Sequence, residues 1–320
     1  PPAFLYHESM SLLSLFAFAI YAAEAIISPL PDDGRVFPTP IPTPAVSFGQ
    51  LAIAVVPQVL GAEAEATPSP TPSPTASAGE ATPLSAVVPP GGTKAETPRP
   101  TRKNAFTIAV LGDSMVDTLG PGVPHLKNRL SALYPNTLFT ILNYGVGGTN
   151  IDYGLERLTH DYDYLGHHVP SLVSQRPDIV VVESFGYNPY TFDEGALTTH
   201  WLRLTTVVDT IKDKLPESKI VIAATIAPNE GVFGDGALNW DSDAKSKKVR
   251  IIKNYLENAV GFAKGEHLPL ADVYHATLDN TENGKLAYIN PVDHIHYSDA
   301  GRSLFAQKVA EAIVANRLLE

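Results

Sequence analysis

Ser114, Asp293 and His296 are the residues of this chain whose types and spacing could together build a nucleophile. A serine hydroxyl attacks a carbonyl carbon when a base takes its proton, and histidine serves as that base when a carboxylate holds its other ring N–H. Ser114 closes the apolar run in "TIAVLGDSMVD" (107–117), and a serine at the carboxyl end of a parallel strand lies where open α/β sheets bind ligands. Asp293 and His296 stand three apart in "NPVDHIHYSDAGRS" (290–303), so one turn of backbone directs both side chains the same way. The adjacent His294 points elsewhere. Each element has a plainer reading: Gly-Asp-Ser is a common turn and helix cap, and Asp-x-His occurs among metal ligands. The other histidines are scattered and the chain has no cysteine, so no metal is expected.

Two further segments could meet the negative charge that develops in such a reaction. "NYGVGGTN" (143–150) carries glycines that let backbone N–H groups approach an anion, either a phosphate or a tetrahedral oxyanion. A dinucleotide fingerprint fits poorly, because Asn150 stands where its third glycine belongs and the segment follows the second strand. In "ESFGYNPY" (183–190), Asn188 offers a side-chain amide donor, although Asn-Pro by itself is a turn initiator. The four segments jointly describe a serine hydrolase with its triad in the order Ser, Asp, His. The Gly-x-Ser-x-Gly elbow of α/β-hydrolases is missing.

Elements must place these residues at one edge. "FTIAVLG" (106–112), "TLFTILN" (137–143), "DIVVVES" (178–184), "KIVIAAT" (219–225) and "LPLADVY" (268–274) are short apolar runs suited to parallel strands covered on both faces. Helical spacing recurs in Trp201, Leu204, Val208 and Ile211, and in Val249, Ile252, Leu256 and Val260, within a helix reading from Ser242 to Gly265. A last helix follows Ser298. The alternation predicts an α/β fold, a three-layer α/β/α sandwich with a five-stranded parallel sheet over 105–320.

Before residue 104 the composition changes. Eighteen of the 28 prolines lie there, and 64–104, with "TPSPTPSPTASAGEATP" at 67–83, reads as a disordered Pro/Thr/Ser-rich linker. Residues 1–63 hold two apolar stretches, 11–28 and 45–62, broken by Glu24 and by Gln50, Pro57 and Gln58, so neither is a clean membrane span. Met10 is a candidate first residue. A stalk behind an apolar region fits export or membrane tethering, hence an extracellular or cell-surface location, better than an intracellular amphipathic tail. The net charge of -11 argues against nucleic acid as a partner.

At these residues the chain resembles the SGNH hydrolases, also called the GDSL esterase/lipase family, over roughly 105–320. Gly112-Asp113-Ser114-Met115 is similar to the first block, which implies Ser114 as nucleophile and its backbone N–H as one oxyanion donor. The Asn143 to Gly148 spacing implies Gly148 as a second donor, and Gly186-x-Asn188 implies the Asn188 side chain as a third. Asp293-x-x-His296 implies an orienting carboxylate and a general base. The resemblance also implies a flavodoxin-like sheet of order 2-1-3-4-5, no cofactor, and hydrolysis of esters or thioesters. Met115 departs from the usual leucine, and Pro189 stands where an aspartate commonly follows, at the loop that must aim Asn188.

The expected substrate is a small-molecule or glycan ester, with short acyl esters of carbohydrates foremost. Tyr187, Tyr190, Phe233 and Trp240 are candidates to stack on sugar or acyl groups, or else to pack the loops. The rival readings are an O-acyltransferase on envelope glycans and a non-catalytic surface glycan-binding protein with a hydrolase fold.

Overall fold

The computed structural model describes residues 101–189 and 195–320. The expected N-terminal region, the linker up to residue 100, and Tyr190 lie outside the described residues.

Five parallel strands form the sheet: β1 (Ala105–Gly112), β2 (Leu138–Gly145), β5 (Ile179–Glu183), β6 (Lys219–Ala224) and β7 (Leu270–Asp272), side by side in the order β2-β1-β5-β6-β7. Among main-sheet strands this is the expected 2-1-3-4-5. The β-branched run of β5 is wholly buried, as a central strand covered on both faces requires.

Strand alternation divides the core. Ile108, Val110, Ile179, Val181 and Val221 face one side, with Leu126 and Leu130 of α2 (Pro124–Leu133) and Phe305, Val309 and Ile313 of α7 (Asp299–Ala315). Their neighbours Ala109, Leu111, Val180, Val182 and Ile222 face the other, with Ile151 and Leu158 of α3 (Ile151–Thr159) and Leu204, Val208 and Ile211 of α4 (Ala196–Lys214). The long α5 (Ser242–Gly265) contributes to both clusters. Each large apolar side chain so enclosed contributes about 1.5–3 kcal/mol.

Sequence reading located α5 to the residue, because Asp241 caps its first turn and accepts the Ala244 N–H. No element is assigned from sequence over 149–170. The structure has α3 there, started by Asn150, whose side chain accepts from Asp152 and Tyr153, then a hairpin of β3 (Tyr162–Tyr164) and β4 (His167–Val169). Two three-residue strands are too short for a period to show.

The chain runs from β1 out to β2, then crosses back to β5 on the far side of β1. Connections diverge at that point, and it is at the carboxyl ends of strands at such a switch point that open α/β sheets bind ligands.

Candidate active site

Ser114 lies at this switch point, two residues beyond β1, at the start of the short helix α1 (Ser114–Asp117). Asp113 caps α1, its Oδ1 accepting the Met115 N–H at 2.8 Å. The plain reading of Gly-Asp-Ser as a helix cap is therefore true of Asp113, while Ser114 is only 3% exposed and its Oγ has no hydrogen-bond partner among the described residues. β1 and β2 both end in glycine because α1 rests on them. A Cβ on Gly145 would stand 2.1 Å from the Asp117 nitrogen, and one on Gly112 2.3 Å from Val116 Cγ2.

The turn after β2 is held by Asn143, whose amide donates to Val116 O at 2.9 Å and Gly120 O at 3.0 Å while its Oδ1 accepts the Gly145 N–H. Gly148 has φ of +70°, a conformation that favours glycine. The Gly147 N–H donates to Tyr164 Oη, which donates in turn to Asp117 Oδ2 at 2.8 Å, so the β3–β4 hairpin clamps this loop against α1.

Beyond β5 the chain is forced into an unusual shape. Phe185 has φ of +51°, a strained conformation for a bulky side chain. The buried Glu183 carboxylate accepts the Phe185 N–H at 2.9 Å and the Ser184 hydroxyl at 2.5 Å, and the Phe185 ring fills the space left by Gly154 of α3. Ser184 O accepts from His200 Nε2, and Tyr187 Oη donates to Ile226 O. Asn188, 3% exposed, donates from Nδ2 to Asp113 Oδ2 at 2.9 Å. Asp113 thus aims Asn188, and no aspartate at position 189 is needed for it.

The last segment folds back over the sheet edge through Tyr297, whose hydroxyl bonds Thr225 just after β6. Here Asp293 and His296 meet: His296 Nδ1 donates to Asp293 Oδ2 at 2.9 Å, with both residues 3% exposed or less. Asp293 Oδ1 accepts the backbone N–H groups of Ile295 and His296, which closes the turn. Burial pushes the Asp293 carboxyl up, but the hydrogen bond and charge of His296 and these N–H groups outweigh it and hold the group below its usual value. The hydrogen bond from Nδ1 to the carboxylate fixes the orientation of the ring. His294, at φ of +51°, turns away and bonds Asp235 O.

These segments share one electrostatic site. Burial raises the Asp113 carboxyl, against the Asn188 and Met115 hydrogen bonds and the charges of His296 and Arg157; Asp117 is raised in the same way and also feels both cations. The His296 ring thus lies within electrostatic reach of Asp113 and Asp117, on either side of Ser114. The family model of the GDSL-like Lipase/Acylhydrolase family matches residues 110–304, from β1 into α7. The chain belongs to this family.

It is accordingly a serine hydrolase acting on ester bonds. Solved structures of similar fold include a GDSL-like lipase from Bacteroides thetaiotaomicron VPI-5482 (12% identity, 66% of this chain and 89% of that one, TM-score 0.48). Others are an acylhydrolase described as putative from Bacteroides fragilis NCTC 9343 (16%, 71% and 93%, 0.48) and a catalytic mutant of an acetylxylan esterase from Geobacillus stearothermophilus (17%, 65% and 94%, 0.47). A search of curated proteins found no match.

The structure brings Ser114, Gly148, Asn188, Asp293 and His296 to the same edge of the GDSL-type sheet, and corrects the aromatic candidates. Tyr187 and Phe233 are fully buried core residues that offer a substrate no surface, because their rings fill the gap between the 185–188 and 226–240 loops. Trp240 stays half-buried, stacked on Phe233 at 6.0 Å. Sequence reading missed Asn143, Arg157, Tyr164 and Glu183 as supports. Arg157 alone carried a signal, an arginine inside the apolar stripe of an amphipathic helix. No group of three or more potential metal ligands occurs among the described residues.

Proposed function

We propose that the protein hydrolyses short acyl esters, acetyl groups on carbohydrates foremost, through an acyl-enzyme on Ser114. The buried Asp293–His296 hydrogen bond, set at the sheet edge that carries Ser114, is the observation on which this rests. His296 Nε2 takes the Ser114 proton as Oγ bonds the ester carbonyl carbon. The N–H groups of Ser114 and Gly148 and the second N–H of the Asn188 amide meet the oxyanion. Collapse expels the alcohol, which leaves with the proton from His296. Water then attacks the acyl group, giving a proton to His296, and the acid departs as Ser114 regains it. Asp293 keeps the imidazole in the required tautomer and stays ionised throughout.

A reaction centre this enclosed supports a small acyl group: Ser114 and His296 are each 3% exposed, and the rings of Tyr187 and Phe233 fill the neighbouring space. The non-catalytic alternative depended on Pro189 misdirecting Asn188, and the Asp113–Asn188 bond argues against that. The apolar stretches in 1–63 and the Pro/Thr/Ser-rich spacer support export or tethering; cell fractionation tests this, and a purely cytosolic protein would refute it. No described helix is long and apolar enough to cross a membrane.

A fluorophosphonate should label wild-type protein on Ser114 and leave Ser114→Ala unlabelled. p-Nitrophenyl acetate should turn over faster than the octanoate, and acetylated xylo-oligosaccharides should release acetate at the same rate with or without a sugar acceptor. An unlabelled Ser114 defeats the nucleophile assignment, a preference for octanoate defeats the short-acyl reading, and acetate appearing on the acceptor instead of in solution makes the enzyme a transferase.

A further inference from the structure

Arg157, in the last turn of α3, is 4% exposed, and among the described residues no carboxylate lies within salt-bridge distance of it. Its Nη2 donates to Gly112 O at 2.8 Å, its Nη1 to Thr149 Oγ1 at 3.2 Å, and its guanidinium lies 5.8 Å above the Tyr162 ring. Gly112 O also accepts the Val146 N–H, and Thr149 Oγ1 donates to Val146 O at 2.8 Å. The two carbonyl and hydroxyl oxygens that Arg157 holds belong to the two separate segments carrying the backbone oxyanion donors. Gly112 is two residues before Ser114, and Thr149 directly follows Gly148.

As a stabilising element this arrangement is a poor choice. Nε is buried with no hydrogen-bond partner among the described residues, and an unmet buried donor costs about 1–3 kcal/mol. Desolvation of the guanidinium outweighs the favourable charges of Asp113 and Glu156 nearby, whereas a methionine would fill a similar volume without either penalty. What a planar cationic fork adds is fixed geometry toward two acceptors at once, together with positive charge beneath the place where an oxyanion forms.

We propose that Arg157 is the positioning residue of the oxyanion site, a cationic fork that sets the spacing between the Ser114 and Gly148 N–H groups and biases the site toward negative charge. The proposal rests on the reading of Ser114 as nucleophile. It assigns Arg157 no contact with substrate, so its removal should leave substrate binding nearly unchanged and weaken the interactions made only when the oxyanion exists.

The test uses the purified full chain with Arg157→Met, Arg157→Lys and Thr149→Val, measuring kcat and KM on p-nitrophenyl acetate, melting temperature, and inhibition by a trifluoromethyl ketone whose serine adduct carries an oxyanion. Arg157→Met should lower kcat by about 10²-fold, the loss typical of one oxyanion donor, with KM within about threefold of wild type. Arg157→Lys should recover less than about tenfold of that, since a point charge cannot serve both acceptors. Thr149→Val, which keeps the charge and removes one acceptor, should lower kcat by about three- to tenfold, a fraction of the worth of one hydrogen bond to a charged group. In every variant ketone affinity should fall in step with kcat. Unchanged kcat, a loss confined to KM, or ketone affinity that holds while kcat falls overturns the proposal. If Arg157→Met does not fold, the same readouts on the lysine and valine variants decide. Wild-type protein that resists labelling at Ser114 removes both readings, whereas labelled, active wild type with unaffected variants removes this one alone.

Discussion

Asn188 shows how much a single side chain depends on groups the reaction does not touch. Its amide has two N–H groups, of which one is engaged by Asp113 Oδ2, leaving the other for the proposed contact with the oxyanion. Asn188→Ala should lower kcat by about 10²- to 10³-fold with little change in KM, measured on p-nitrophenyl acetate. Asp113→Asn should act through the same bond. Its side chain must accept from both Met115 N and Asn188 Nδ2, and an amide can accept at only one of its two ends. We expect a folded enzyme with a kcat between those of Asn188→Ala and wild type. A kcat equal to wild type would show that Asn188 is aimed by its own loop.

Elements meet the site through close approaches that no larger residue permits. β2 can lie beside α1 only because Gly145 has no Cβ, and the Asp117 backbone occupies that position at 2.1 Å. Gly145→Ala must push α1 and Ser114 away, and overpacking of this kind costs about 1–3 kcal/mol or more, read as a lower denaturant midpoint. Activity should fall further than stability, since α1 carries Ser114, the proposed nucleophile. At Gly154 the neighbour is a side chain, with Phe185 Cζ 2.4 Å from the added Cβ. Because that ring seats the strained 185 position, Gly154→Ala should reduce kcat through the Asn188 loop even where the fold survives. An alanine variant at 154 with wild-type kcat would show that the ring can yield without moving the loop.

For the whole molecule, buried titratable groups give stability a definite dependence on pH. Burial pushes His200 down to about 4 from 6.5, even though its Nε2–H is taken by Ser184 O; its Nδ1 accepts from Asn258. The folded protein binds that proton less readily than the unfolded chain, so the contribution is complete above pH 6.5 and is lost as pH falls toward about 4. The loss amounts to about 3 kcal/mol at most. Glu183 runs the other way: burial, then the Asp113 charge, raise it well above 4.5, so its contribution is complete below that pH and is lost as pH rises through the folded value. Denaturation midpoints across the pH range should therefore fall on the acid side less steeply in His200→Gln, and on the neutral side less steeply in Glu183→Gln. Parallel curves for wild type and His200→Gln would mean that this ring titrates equally in both states.

Parallel strands buried on both faces leave continuous apolar runs, and so the five strands, their layer architecture and helix α5 were readable in the chain. Ser114 and the Asp293–His296 pair were readable too, because a strand end and a three-residue spacing are local features. The tertiary structure alone decided what supports them. Arg157, Asn143 and Tyr164 act on residues 8 to 47 positions away, and Asp113 reaches Asn188 across 75. Such bonds arise from the crossing of β1, β2 and β5 at one edge and leave no periodic trace. The same cause buried Tyr187 and Phe233: aromatic character is written in the residue type, but whether a ring faces substrate or core depends on which loops close over it.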